Sequence, residues 1–332
     1  CLVGSEMCIR DRDHKLYSMQ HLKFEVTPLE ELSYYSQKFN ICCLCKRDDL
    51  FSKAGGGSKA RMLQYILYPL HKEKIDVLLT AGGPCSNYNR AAALLCAELG
   101  IRMRLISYTN TPSDYEHSLN YYVSNLAGAE HIYCEKKKVV ETIQKVKAEM
   151  ERRSISYRYC YGGGKSLEGV YAYYDAVREL KSQYQKQIDE VYVACGTGTT
   201  LTGICCGMQE FFPTAKVHGI SVARCYEDEK KVLDEDIAYL NNYLHKQYDF
   251  SNLIFHDEFL LGGYGHSSDE ELEIIKECIS KQGMLVDPTY SGKAFYGMCK
   301  VLSEKERSDK TVLFWNTGGM MNLFSQKAEF GL

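Results

Sequence analysis

Residues 190–212 read EVYVACGTGTTLTGICCGMQEFF. The run from Glu190 to Cys195 is short, apolar and followed by turn residues, which predicts a buried strand, and the apolar stretch after the glycines predicts a helix. Between them, residues 195–203 form a loop of glycines and threonines with no lysine. Such a turn aims backbone N–H groups and hydroxyls into one concavity at the positive end of a helix, which suits a phosphate dianion. A triphosphate loop would need Gly-Lys-Ser/Thr. A dinucleotide loop would need another glycine spacing and an acid about 20 residues on, where Val222-Ala223-Arg224 stand instead. Two readings remain: a cup for a smaller phosphate, and a tight structural turn.

The flanking sequence sets this loop in a parallel sheet. KVHGISVAR (216–224) is a second strand, and VLFWNTGG (312–319) is a third that ends in a polar glycine turn. Upstream, DVLLT (76–80) and IRMRLISY (101–108) flank an apolar helix, 91–99, that stops at Gly100. Strand, turn, helix and strand in this order indicate an α/β architecture and argue against hairpins. Segment 27–51 begins helix-like and passes into a short apolar strand ending at Lys46-Arg47-Asp48. The charged segment 135–153 predicts a solvated helix, a tyrosine-rich helix follows GGGK (162–165), and 270–283 predicts another helix. A chain of 332 residues predicts about two domains. The expected division is a large domain from 13–58 and 165–332 and a small inserted α/β domain over 59–164, with the ligand in the cleft between them. Residues 1–12, CLVGSEMCIRDR, differ in character from the rest and are read as a non-native leader.

Composition narrows the partners. Hydrophobic residues make up 45% and charged residues 25%, with a formal net charge of −3, so no general attraction to nucleic acid or anionic membrane is expected. No apolar run approaches the roughly 20 residues that span a bilayer. The 15 cysteines follow no secretory signal and fall in apolar or helical stretches such as CCLC (42–45), which favours inert, buried thiols and a cytoplasmic protein. No paired C-x-x-C or nearby histidine completes a four-ligand metal site, so no metal is expected.

The second decisive stretch is AGGGSKARML, 54–63, where Lys59 ends a glycine run just as Met62, Leu63, Ile66, Leu67 and Leu70 begin a helical pattern. Alone, Lys59 reads as a surface lysine. Beside a phosphate cup lacking any triphosphate motif, it suggests pyridoxal 5'-phosphate: the lysine forms a Schiff base with the cofactor aldehyde, and burial and the helix N-terminus lower its pKa toward the neutral amine. Ser86-Asn87 opens the next helix, either as an N-cap or as a seat for a substrate carboxylate, and the two roles are compatible. Tyr264 in GGYGHSS and Tyr290 in DPTYSGKA lie in glycine-rich loops, as half-buried aromatics or as site residues.

GGGSKARMLQYIL, TAGGPCSNYNRAAALLCAELG, ACGTGTTLTG, GYG, DPTYSGKAFYGM and NTGG occur in this order, and with them the chain resembles the D-cysteine desulfhydrase and 1-aminocyclopropane-1-carboxylate deaminase family over roughly residues 27–324. The resemblance implies a two-domain, three-layer α/β/α protein of the tryptophan-synthase-β-like fold (fold type II) and a homodimer. It makes Lys59 the Schiff-base lysine and assigns the phosphate to Thr197, Gly198, Thr199 and Thr200. It gives the substrate carboxylate to Ser86, Asn87 and Tyr88, and sets Tyr264 and Tyr290 above the cofactor. Ser291 and Thr317 stand where the cyclopropane deaminases carry a glutamate and a leucine, which favours elimination from D-cysteine to pyruvate, ammonia and hydrogen sulfide. The alternatives are deamination of 1-aminocyclopropane-1-carboxylate, or elimination from chloroalanine, serine or diaminopropionate. Three positions depart from the family pattern: Ser58 for Asn, Tyr88 for His or Gln, and Asn316 for His. Tyr88, being larger, is expected to reshape the carboxylate pocket.

Overall fold

The computed structural model describes residues 25–109, 114–304 and 309–331; the leader read at 1–12 lies outside them. The first part of the chain forms β1 (Leu29–Glu31), α1 (Ser33–Phe39), β2 (Cys42–Arg47) and α2 (Ser58–Lys72). Next come β3 (Val77–Gly82), α3 (Asn87–Leu99), β4 (Arg102–Tyr108), α4 (Asp114–His117), α5 (Leu119–Leu126), β5 (Glu130–Cys134), α6 (Val139–Arg152) and β6 (Tyr157–Tyr159). Then follow α7 (Leu167–Gln183), β7 (Glu190–Cys195), α8 (Thr199–Phe211), β8 (Lys216–Ser221), α9 (Tyr226–Leu244) and β9 (Leu253–His256). The last elements are α10 (Asp269–Gln282), α11 (Ser291–Ser303), β10 (Thr311–Asn316) and α12 (Met320–Ser325).

The strands form two sheets, one in the order β1-β2-β10-β7-β8-β9 and one in the order β5-β4-β3-β6. Every pairing is parallel except β1 with β2. Parallel strands need crossovers, and the intervening helices cover both faces of each sheet. Strand periodicity divides the side chains between those faces. On β10, Leu313 and Trp315 join the core with α7 and α8, while Val312 and Phe314 join the core with α1 and α11. In the smaller sheet, Leu78 and Leu105 face α2 and α3, whereas Val77, Leu79 and Ile106 face α6. This is the three-layer α/β/α arrangement anticipated from the motifs.

Helix α2 belongs to both cores: Met62 and Tyr65 pack with α7, and Ala60, Leu63, Ile66 and Leu67 pack with α3. A boundary at Lys59 therefore falls inside a helix shared by the two sheets. In the charged segment, α6 is not wholly solvated, because Ile143, Val146 and Met150 recur on one face and are buried. The CCLC run is strand β2, with Cys43 and Cys45 buried and Cys42 exposed. Burial pushes the Cys43 thiol up to about 12, which leaves it unreactive. Among the described residues no helix is long and apolar enough to cross a membrane, and no group of three His, Cys, Asp or Glu is arranged to hold a metal.

Candidate active site

Glycines 55–57 carry φ values of +72°, +75° and +92°, a region that side chains disfavour and glycine enters freely. At Gly57 a Cβ would lie 2.9 Å from the Thr317 carbonyl oxygen. The loop can thus press against the turn after β10, where Ser58 N donates to Thr317 O at 2.9 Å, and Gly57 N donates to Asp48 O at 2.8 Å. These bonds fix the start of α2. Lys59, on its first turn, points across to the start of α7 and donates from Nζ to Gly163 O at 2.9 Å. Burial lowers its pKa to about 8, opposed only weakly by the Cys195 thiol.

Beneath the loop lies a buried ionic network. Asp48, fully buried, accepts from Arg61, Trp315 Nε1, Tyr173 and Thr27. Glu179 pairs with Arg61 and Lys46. Burial alone would raise the Asp48 pKa, yet the Arg61 guanidinium and the donated hydrogen bonds prevail and hold it below the ordinary carboxylate value.

The second wall comes from β7, the 196–198 turn and α8. Gly198 has φ +78° and caps α8 without a side-chain hydrogen bond. First-turn amides have no partner within a helix, so the start of α8 offers N–H groups to whatever fills the cavity beside it. Glu229 lies under this turn, 2.9 Å from where a Gly198 Cβ would be, and its charge is met by Arg224 at 2.8 Å. The third wall is the start of α3. Ser86 caps it, accepting from Asn89 N at 3.3 Å. Tyr264 and Tyr290 close the top with hydroxyls 2.6 Å apart and rings edge to face at 5.8 Å. Although Tyr264 is half exposed as a residue, desolvation at its hydroxyl raises its pKa to about 12 and that of Tyr290 is raised further, so both phenols stay protonated at neutral pH.

These walls enclose about 120 Å³ open to the centre of a water-sized sphere, far beyond the roughly 10–15 Å³ that one water needs. The structure brings Lys59, Ser86, Asn87, Tyr88, Thr197, Gly198, Thr200, Tyr264, Tyr290 and Thr317 to this one cavity. Two expected residues do not line it. Thr199 is buried with its hydroxyl on Asp236 at 3.1 Å. Ser291 is fully buried, donating to Asp287 Oδ1 at 2.8 Å and accepting from Asp287 N at 3.0 Å. Tyr88 reaches the cavity from the core: it is 1% exposed, belongs to the cluster built by α2 and α3, and lies against Gly164. Asn316, also buried, accepts from Gly318 N and donates to Leu285 O, which shapes the turn that bears Thr317.

Sequence reasoning missed Arg90. It lines the cavity one helical turn after Ser86 and donates to Asn120 Oδ1 at 2.9 Å, to Gly56 O at 3.3 Å and to Ala54 O. No carboxylate offsets it among the described residues, and burial lowers its pKa to about 10. The signal was present as a charge inside SNYNRAAALL, one turn beyond the helix start. Among the described residues, Lys59 and Arg90 are the only charged side chains lining the cavity, and no acid lines it. The Arg90 cation, an uncapped helix start and Lys59 with its lowered pKa fit a phosphorylated aldehyde and an amino-acid carboxylate.

Residues 22–318 match the family model described as "Pyridoxal-phosphate dependent enzyme". The chain belongs to that family, and pyridoxal phosphate is its cofactor. A protein of Thermotoga maritima, provisionally named a 1-aminocyclopropane-1-carboxylate deaminase, is 29% identical over 92% of this chain and 97% of its own. The crystal structure of a homologue of that deaminase superposes with a TM-score of 0.83 at 27% identity, covering 92% of this chain and 94% of the other. Threonine deaminase isoform 2 of Solanum lycopersicum shares the fold, with a TM-score of 0.68 at 15% identity over 92% of this chain and 83% of its own. The class is therefore the fold type II lyases and deaminases. The comparisons reach this class and not the substrate, so the preference for D-cysteine drawn from Ser291 and Thr317 is not carried further by them.

Proposed function

We propose that this enzyme deaminates a small amino acid to a 2-oxo acid and ammonia, with 1-aminocyclopropane-1-carboxylate the first candidate substrate. The observation that carries the reading is a cavity whose only charged lining groups among the described residues are Lys59 and Arg90, roofed by two neutral phenols. The bound cofactor supplies an electron sink for negative charge formed on the substrate. Lys59 anchors it, and the start of α8 with Thr197, Gly198 and Thr200 holds its phosphate. With burial lowering its pKa to about 8, Lys59 is neutral far more often near pH 7 than an ordinary lysine. That neutral fraction can bind the aldehyde and can accept a substrate proton. The Ser86 hydroxyl and the Asn87 amide at the start of α3 receive the substrate carboxylate, and Arg90 on the same face of α3 adds the positive charge that favours it. The paired phenols of Tyr264 and Tyr290 keep their protons at neutral pH and stand where one could be passed to the substrate as negative charge builds there.

A second reading, elimination from D-cysteine, is favoured by the hydroxyl residues Ser291 and Thr317 in place of a glutamate and a leucine. There the phenol pair protonates the departing thiolate. Incubating the cofactor-loaded protein separately with 1-aminocyclopropane-1-carboxylate, D-cysteine and L-cysteine, and measuring 2-oxo acid, ammonia and sulfide, separates the two. 2-Oxobutanoate from the cyclopropane substrate supports the first; sulfide and pyruvate from D-cysteine support the second. Ammonia from none of them, nor from serine, chloroalanine or diaminopropionate, would defeat both.

A further inference from the structure

Tyr264 sits on a glycine-rich segment whose apolar anchor, Leu261, packs against the core three residues before it. Leu261, Gly262, Gly263 and Gly265 have φ values of +52°, +94°, +121° and +80°, and Tyr264 itself is 50% exposed. Glycine-rich backbone loses the most conformational freedom when it is ordered, so a fixed position for the Tyr264 hydroxyl needs a further anchor. The local backbone bonds, Gly263 N to Leu260 O and His266 N to Gly263 O, define turns but tie the segment to nothing else.

Lys293 supplies that tie. It lies in the first turn of α11, three residues after Tyr290, and is fully buried. Its Nζ donates to Leu260 O at 3.0 Å and to His266 O at 2.6 Å. These carbonyls bracket Tyr264, so one ammonium holds both ends of the turn. Glu271 lies nearby with neither oxygen hydrogen-bonded, and burial raises its own pKa to about 8, so it offsets the Lys293 charge only in part. The backbone carbonyls therefore solvate the cation, and such charge-assisted bonds exceed neutral ones in strength. Because Tyr290 and Lys293 share one helix start, the clamp also sets the distance between the two phenols.

We propose that Lys293 is a positioning residue whose ammonium clamps the 260–266 turn and so holds the Tyr264 hydroxyl on Tyr290 over the cavity. The role in turnover rests on the deaminase reading; the clamp itself does not. In holoenzyme carrying Lys293→Met, deuterium exchange of amides 261–266 should quicken by about tenfold or more, with α8 unchanged. Lys293→Met and Tyr264→Phe should each lower kcat, and the double variant should be no slower than the slower single one, because both remove the same contact. Lys293→Arg, which keeps the donors, should recover most of the rate. Unchanged exchange, or rate losses that multiply in the double variant, would overturn the proposal. If Lys293→Met does not fold, Lys293→Gln is judged by the same two criteria. If no amino acid is turned over, the deaminase reading fails and the exchange measurement alone decides the clamp.

Discussion

Lys59 is placed where its charge is disfavoured, and that placement explains its position after three glycines. The loop lets α2 begin against the β10 turn, and the first turn of α2 then delivers the amine into a buried cavity. Condensation with an aldehyde needs the neutral amine. The rate of cofactor loading should therefore rise with pH and level off above about 8, the lowered value for Lys59; a rate still climbing tenfold per unit at pH 10 would show an ordinary lysine. Tyr290→Phe should leave the cofactor bound and lower turnover by about 100-fold or more, the usual contribution of a positioned acid; unchanged turnover would remove the phenol from the chemistry. At this scale the sequence was readable where function requires unusual chemistry, as with a lysine on glycines and threonines at a helix start. It was less readable where a side chain's direction decides its role. Tyr88 and Ser291 occupy motif positions, yet one ring is spent on the core and one hydroxyl on Asp287, choices made by packing from distant elements. Arg90 was overlooked because its partners, Asn120 and the carbonyls of the glycine loop, are remote in sequence.

Among the elements, α2 carries the most demands, since it starts the site and is packed by two sheets. Its start rests on the glycine loop above and Asp48 below. Gly57→Ala, with φ +92° and a Cβ 2.9 Å from Thr317 O, should destabilise the protein by about 1–3 kcal/mol and lower cofactor occupancy. A variant with full occupancy and an unchanged denaturation midpoint would contradict the packing argument. Asp48→Ala leaves Arg61 without its fully buried partner, and the loss should be about 3–5 kcal/mol in denaturant unfolding; a change under about 1 kcal/mol would mean the network reorganises. Helices with a clear apolar face were evident in the sequence: 91–99 is the body of α3, and 270–283 is α10 shifted by one residue. Helix α9 was not, because YEDEKKVLDEDIAYLNNYL buries few apolar positions. The short strands β5 and β6 were also hidden, being too brief to show a period.

For the whole molecule, a mostly parallel sheet and a parallel one contribute to one cavity, and residues distant in sequence form a single site. The glycine loop, the starts of α3 and α8, the turn after β10 and the Tyr264 segment each give one wall, and none is a site alone. We propose that residues 59–164 and the flanking segments act as two parts closing on the ligand, with α2 as the shared seam. The class of fold followed from the alternation of strands and helices, but the strand order did not, because β10 inserts between β2 and β7 from the far end of the chain. The central claim is that Lys59 holds pyridoxal phosphate in this cavity. The direct test is to load the protein with cofactor, reduce it with borohydride, digest it and locate the pyridoxyl group by mass spectrometry. The group is predicted on Lys59 alone, and absent from the Lys59→Ala variant. A pyridoxyl group found on another lysine, or on none, would contradict the account.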